Sequence, residues 1–310
     1  MDNMLPLNAV SAVIIISGEI GTPENVWKGP DIPVVLRRPT LPSLESGILD
    51  DDYAKRPENF HRLDVLEPHP NPPFELPSAG NLSLHIRLGE MVSEGRTGMV
   101  FDCECSIPCG NETLGYQIPP IVVKLATQYH SEDMTKEAIM YEGLQCLQGS
   151  VIPRCYGFFQ FRSTDFFDFG PMSILLLEKL GGHLTLGKPL PNGAECVIDT
   201  SSSITLNSHQ LCFVGVRSEL ESLCIDLASL HIIHNDLRYA NILCVLSQEQ
   251  GGLPSLPSPI SGRSYQWRLI DLDCAYRTAE DLGGVNTYYY SYLPRILKNV
   301  PFGCIVEPWE

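Results

Sequence analysis

The chain has 310 residues, 44% of them hydrophobic and 19% charged, with 21 Lys and Arg against 37 Asp and Glu. That length buries one large core or two modest ones, and the composition is that of an ordinary globular protein. A net charge of −16 argues against non-specific binding to nucleic acid or to an anionic membrane.

At the N-terminus, "AVSAVIIISGEIG" follows Asp2 rather than a basic leader, so it does not read as a signal peptide, and its apolar run is too short to span a bilayer. Residues 1–80 are rich in proline ("PHPNPPFELP", 68–77) and acidic clusters ("LDDDY", 49–53). They read as an irregular arm with a short strand or two near Val13–Ile16 and Pro33–Leu36. The 11 cysteines are scattered and odd in number, which favours reduced thiols and an intracellular, cytoplasmic or nuclear, setting.

From Asn81 the pattern tightens. "LSLHIRLGEMV" (82–92) and "TGMVFDCEC" (97–105) alternate around a glycine-bearing turn, which predicts a β-hairpin, and "IPPIVVKLA" (118–126) predicts a third strand. Residues 131–150 predict a helix that opens at Ser131 and stops at Gly149. "SILLLEKLGG" (173–182) reads as a buried strand. A second helix is expected over 211–231, with Leu220, Leu223, Leu227 and Leu230 on one stripe. Strands over 241–246 and 265–273 then flank a Pro/Ser/Gly-rich loop, 247–264, expected to be mobile.

Five features point to one chemistry. Gly95 and Gly98, in "SEGRTGMV", lack a Cβ and let backbone N–H groups approach a phosphate. Lys124 shares a strand face with Val122 and Ala126, so its ammonium wants an anion. Glu137 lies on the helical stripe of Tyr141, Leu144 and Leu147 and needs a counter-charge. "HIIHNDLRYANILCV" (231–245) puts Asp236, able to accept a hydroxyl proton, and Asn241, able to ligate magnesium, on one loop with His234 and Arg238. Asp271, closing an apolar strand, offers a hard oxygen to Mg²⁺. Each feature alone has a bland alternative: a tight turn, a snorkelling lysine, an edge glutamate, a capped helix, a strand-end aspartate. Their order along the chain is harder to explain blandly.

That order resembles the signature set of the protein-kinase superfamily, over about Leu84 to Ala275. Ser93-x-Gly95-x-x-Gly98-x-Val100 is similar to the glycine-rich loop, with serine for its first glycine, and Ile121-Val122-Val123-Lys124 to the Val-Ala-Ile-Lys strand. His234-Asn235-Asp236-Leu237 with Asn241 is similar to the catalytic loop, and Asp271-Leu272-Asp273 to Asp-Phe-Gly. A narrower likeness is to the short, divergent kinase-like proteins of fungi. The resemblance implies an α+β, bilobal protein kinase-like fold, with a β-rich N-lobe (81–180) and an abbreviated α-helical C-lobe (181–310). It implies Mg²⁺ and ATP as cofactors, Ser/Thr hydroxyls as acceptors and a protein substrate or partner. Ser93, Gly95, Gly98, Val100, Val122, Lys124, Glu178, Leu180 and Leu243 would bind the nucleotide, with Leu177 as gatekeeper. Asn241 and Asp271 would hold Mg²⁺. Lys124, paired with Glu137, would hold phosphates, Asp236 would take the acceptor's proton, and Arg238 would steady the transferring phosphoryl.

The departures leave two further readings open. Asn235 replaces the arginine that clamps a phosphorylated loop, Asp273 replaces a glycine, and no Ala-Pro-Glu segment occurs among the 39 residues (310 − 271) after Asp271. A nucleotide-binding pseudokinase scaffold and a small-molecule kinase of the aminoglycoside-phosphotransferase type both accommodate these changes. Cys103, Cys105 and Cys109 are close in sequence but lack zinc-finger partners, and read as unliganded thiols. "TYYYSY" (287–292) reads as a packing segment.

Overall fold

Among the described residues of the first half of the chain, strands predominate because β-branched and aromatic residues alternate there with small and polar ones. The protein is described by a computed structural model covering residues 4–22, 25–28, 34–41, 80–108, 115–126, 130–161, 172–184 and 208–298. The acidic and proline-rich stretches 49–53 and 68–77, and Cys109, lie outside these residues. Strands β1 (Val10–Ser17), β4 (Val34–Arg37), β5 (Leu82–Glu94), β6 (Met99–Ser106), β7 (Ile121–Ala126), β8 (Cys155–Phe161) and β9 (Met172–Glu178) close into one barrel. Their order is β1-β4-β8-β9-β7-β6-β5, with β5 returning to β1 in parallel. Strands β2 (Glu19–Thr22) and β3 (Asn25–Lys28) form a separate ribbon.

The bilobal kinase-like architecture expected from the sequence is overturned by this arrangement. The chain forms a closed seven-stranded mixed barrel, and only three α-helices occur among the described residues: α1 (Ser131–Gly143), α2 (Ser208–Ala228) and α3 (Leu282–Lys298). The physical cause is strand β1. An open sheet built from β5 to β9 would leave rows of unpaired backbone groups at its edges. Val13 and Ile15 register with Leu84 and Ile86 on one side and with Leu36 and Val34 on the other, and β4 in turn pairs with β8. The segment expected to be an irregular arm thereby seals the sheet.

Two cores result. Ile121, Val123 and Leu125 of β7 join Val13, Ile15, Leu84, Ile86 and Leu176 inside the barrel. The opposite face of β7, with Val122 and Ala126, packs toward α1, α2 and α3. Strand β9 is buried along its whole length, which suits its unbroken "MSILLLE" run.

Beyond α2 the chain uses short ribbons. His231, with φ 57°, ends the helical run in a left-handed turn. Strand β10 (Ile232–Ile233) pairs with β13 (Tyr276–Arg277), and β11 (Ile242–Cys244) pairs with β12 (Trp267–Leu269). These two ribbons clamp the connecting loops 234–241 and 270–275 against each other. The segment 247–264 is tied down by Arg154, whose Nη2 donates to Pro254 O at 2.8 Å, and by Arg268, whose Nη2 donates to Ser255 Oγ at 2.8 Å.

Candidate functional site

The site is built around Lys124. Because β7 alternates, its ammonium emerges on the face toward α1 rather than inside the barrel. There Nζ donates to Glu137 Oε2 at 2.6 Å and to Asp271 Oδ1 at 2.6 Å. Three residues, spread over 147 positions between Lys124 and Asp271, thus meet at one nitrogen.

The two carboxylates differ in solvation, and that decides their titration. Glu137 is fully buried, with Oε1 left without a partner among the described residues. Burial outweighs the pull of Lys124 and raises its carboxyl to about 7. The Asp271 side chain keeps 20% exposure. Burial pushes it upward too, but the Lys124 ammonium overrides this and leaves its pKa lowered. Burial works against the Lys124 charge, and the attraction of Glu137 and Asp271 more than offsets it, so the ammonium is held protonated.

Backbone grips place Asp271. Ile270 N–H donates to Asn241 O at 3.0 Å, and His234 Nε2 donates to Ile270 O at 2.9 Å. A carbonyl can only accept, so Nε2 carries the proton and Nδ1 is free to accept the Asp236 N–H, at 3.4 Å. Burial lowers the His234 pKa, which favours this neutral tautomer. Asp271 itself adopts φ 64°, a left-handed conformation that turns the chain at the strand's end.

On the facing loop, Asn241 Nδ2 donates to Asp236 O at 2.9 Å and to Asp236 Oδ2 at 3.0 Å. Two acceptors on one amide nitrogen fix its orientation and direct Oδ1 away from Asp236. Arg238 Nε lies 3.4 Å from Asp236 Oδ2. Asp236 and Asn241 are therefore locked together, and Asn241 is tied through Ile270 to Asp271.

The remaining predicted residues surround this centre unequally. Ser93 pairs with Val100, and Val100 with Lys124, so the β5–β6 turn overhangs Lys124's strand. Gly95 N–H closes that turn on Gly98 O at 2.9 Å. Gly98 packs against Leu125 O so closely that a Cβ would overlap it, whereas at Gly95 the nearest atom would be 3.7 Å away. Val122 and Leu243 are half-buried. Glu178 serves the fold: Arg154 Nη1 donates to its Oε1 at 2.8 Å and Arg154 N–H to its Oε2 at 3.0 Å. Leu180 N–H and C=O make no hydrogen bond among the described residues, while Gly181 and Gly182 exchange bonds with Cys244. Cys103 Sγ lies 3.6 Å from Cys105 Sγ, and both pack against the barrel core.

Two participants were not predicted. Tyr289 of α3 is buried, donates its hydroxyl to Ile232 O at 2.9 Å and accepts the His234 N–H at 3.1 Å, bracing the loop that carries Asp236. Its place in "TYYYSY" suggested packing; only a buried hydroxyl at helical spacing from Val285 and Leu293 hints at more. Arg96, at the tip of the glycine turn, donates to Asp273 Oδ2 and Cys274 Sγ, each at 2.6 Å. No protein-family model and no curated protein matches this chain.

The donor set fits magnesium in kind. Asp271 supplies a carboxylate and Asn241 an amide oxygen that its own hydrogen bonds leave unspent. Magnesium uses one or two such protein oxygens and completes its shell with water and phosphate. No cluster of three or more His, Cys, Asp or Glu side chains arranged for a metal occurs among the described residues.

Proposed function

We propose that the chain is an ATP-dependent phosphotransferase that moves a phosphoryl group from Mg-ATP to a Ser or Thr hydroxyl of a protein. The observation that carries this reading is the convergence of Lys124, Glu137 and Asp271 at 2.6 Å, joined through Ile270 to the Asp236–Asn241 pair. A structural salt-bridge cluster has no need of a second, separately locked carboxylate and amide beside it.

In this reading Lys124, fixed by Glu137, binds phosphate oxygens through charge-assisted hydrogen bonds. Asp271 and Asn241 would hold Mg²⁺, which when bound neutralises phosphate charge. Asp236 orients the acceptor hydroxyl and takes its proton as the acceptor oxygen bonds the γ-phosphorus and the bond from that phosphorus to the β–γ bridging oxygen breaks, releasing ADP. Arg238, beside it, offsets the negative charge gathered there. His234 stays neutral and acts by holding Asp271 and Asp236 in place. The protein supplies positioning and electrostatics, with no covalent intermediate. This reading rests on the site and not on the fold class.

Transfer of label from γ-labelled ATP tests it, using generic protein substrates alongside a panel of hydroxyl-bearing metabolites and aminoglycosides. We expect transfer to protein that is lost in Asp236→Asn while Mg-ATP binding persists. Binding without turnover on any acceptor refutes the enzymatic reading in favour of a scaffold. Transfer confined to small molecules refutes the protein-substrate assignment.

A further inference from the structure

The turn between β5 and β6 has two unequal legs. Thr97 is 1% exposed and Gly98 abuts the β7 backbone, so this leg is anchored. The leg from Ser93 to Arg96 is exposed. The Arg96 side chain leaves it to reach the segment after Asp271, where Nη2 meets Asp273 Oδ2 and Cys274 Sγ. Its far end therefore sits two and three residues past Asp271, the residue bonded to Lys124.

The ion pair is lopsided. The Asp273 side chain is 1% exposed and its Oδ1 has no partner among the described residues, whereas the Arg96 side chain is 59% exposed. Arg96 spends only Nη2; its Nε and Nη1 make no hydrogen bond among the described residues. A guanidinium has five donors in a planar fork that matches phosphate oxygens. A buried carboxylate thus holds one prong while the others stay open beside the place where Lys124 and Asp271 would bring a phosphate.

Charge makes the same demand. Around the cluster stand Lys124, Arg96 and Arg238 against Asp236, Asp271 and Asp273, with the buried Glu137 only partly ionised near neutral pH. Without Arg96 two cations would face those three aspartates, and a polyphosphate would meet net negative charge.

We propose that Arg96 is a polyphosphate-binding residue of the donor site and that Asp273 is the positioning residue that orients it. The two hold the open prongs of the guanidinium toward the donor's terminal phosphates and make the site selective for triphosphate over unphosphorylated nucleoside. This inference rests on the phosphotransferase reading. It assigns a purpose to the aspartate that stands where the resembled motif has glycine: a glycine offers no carboxylate to hold Arg96.

Calorimetric binding of Mg-ATP, Mg-ADP and adenosine to the full chain tests it, with wild type, Arg96→Gln, Arg96→Lys and Asp273→Asn compared. We expect Arg96→Gln to weaken Mg-ATP by about 10- to 100-fold, the range for losing hydrogen bonds between ions, with adenosine unchanged. Arg96→Lys keeps the charge but not the fork and should recover only part of that loss. Asp273→Asn should weaken Mg-ATP and spare adenosine, since the arginine remains but loses its tether. Equal weakening of Mg-ATP and adenosine, or no change in either, overturns the role of Arg96 while leaving the phosphotransferase reading intact. A wild-type chain that binds none of the three overturns both.

Discussion

Replacing Lys124 by Met gives the sharpest test of the central cluster, because it removes the one cation shared by Glu137 and Asp271. Removing one partner of a buried ion pair costs about 3–5 kcal/mol, chiefly because the remaining charge is stranded. Here part of that cost depends on pH in a calculable direction. Glu137 already sits at about 7 against 4.5 unfolded, so the unfolded chain has released a proton that the fold retains, and stability falls as pH rises between these values. Without Lys124 the force holding this carboxyl down is gone, and the penalty extends to higher pH, by about 1.4 kcal/mol for each pH step. At pH 5 the folded Glu137 is protonated in both proteins and this part cancels. Urea denaturation of both should therefore show a loss of roughly 4 kcal/mol at pH 8 that shrinks by about 1–2 kcal/mol at pH 5. A loss that is equal at the two pH values, or below about 1 kcal/mol at pH 8, would refute the buried triad.

Three other perturbations probe the supports of the site. Tyr289→Phe leaves the Ile232 carbonyl and the His234 N–H without their buried partner; we expect a loss of about 1–3 kcal/mol in denaturant melts and a lower phosphotransfer rate with Mg-ATP affinity retained. Gly98→Ala forces a Cβ into the Leu125 carbonyl and should destabilise by about 1–3 kcal/mol, whereas Gly95→Ala makes only an ordinary van der Waals contact with Gly98 O and should stay within about 0.5 kcal/mol; equal effects in thermal melts would contradict the anchored leg. His234 has a folded pKa below its ordinary 6.5, so protons bind the unfolded chain more readily and stability drains as pH falls below that value; His234→Gln should flatten this acid limb in melts taken from pH 7 to pH 5.

The elements nearest the candidate site were legible in the sequence because they depend on local periodicity. Strand alternation separated Lys124 from Ile121, Val123 and Leu125; the structure places those three inside the barrel, while Val122 and Ala126, which share Lys124's face, pack on the other core. Helical spacing put Glu137 on the stripe of Tyr141 and Leu144, and all three are buried. Helix α1 nevertheless ends at Gly143, giving way to a 3-10 turn over Gln145–Leu147, where a single α-helix to Gly149 was expected. Barrel closure was not legible. Nothing within "VSAVIIIS" announces that its parallel partner lies some seventy residues onward; register between distant strands is set by which edges remain unpaired, and no local window contains that fact. Arg96 and Asp273, 177 positions apart, escaped for the same reason.

The barrel and the site are linked more tightly than this division suggests. Lys124 is fixed in β7, which pairs with β6 on one side and β9 on the other, and those strands pass on to β5 and β8 and then to β1 and β4. In an open sheet, twist and edge fraying would be absorbed at the margins, and a turn such as 95–98 would swing with them. Closure removes both margins, so β5 and β6 carry the glycine turn as an extension of a ring. What reaches across from the glycine turn is then a side chain, Arg96, carried on strands held in the ring. On the reading proposed above, closing the site around a donor is a matter of one guanidinium finding its second anion. It requires no movement of one half of the molecule against the other.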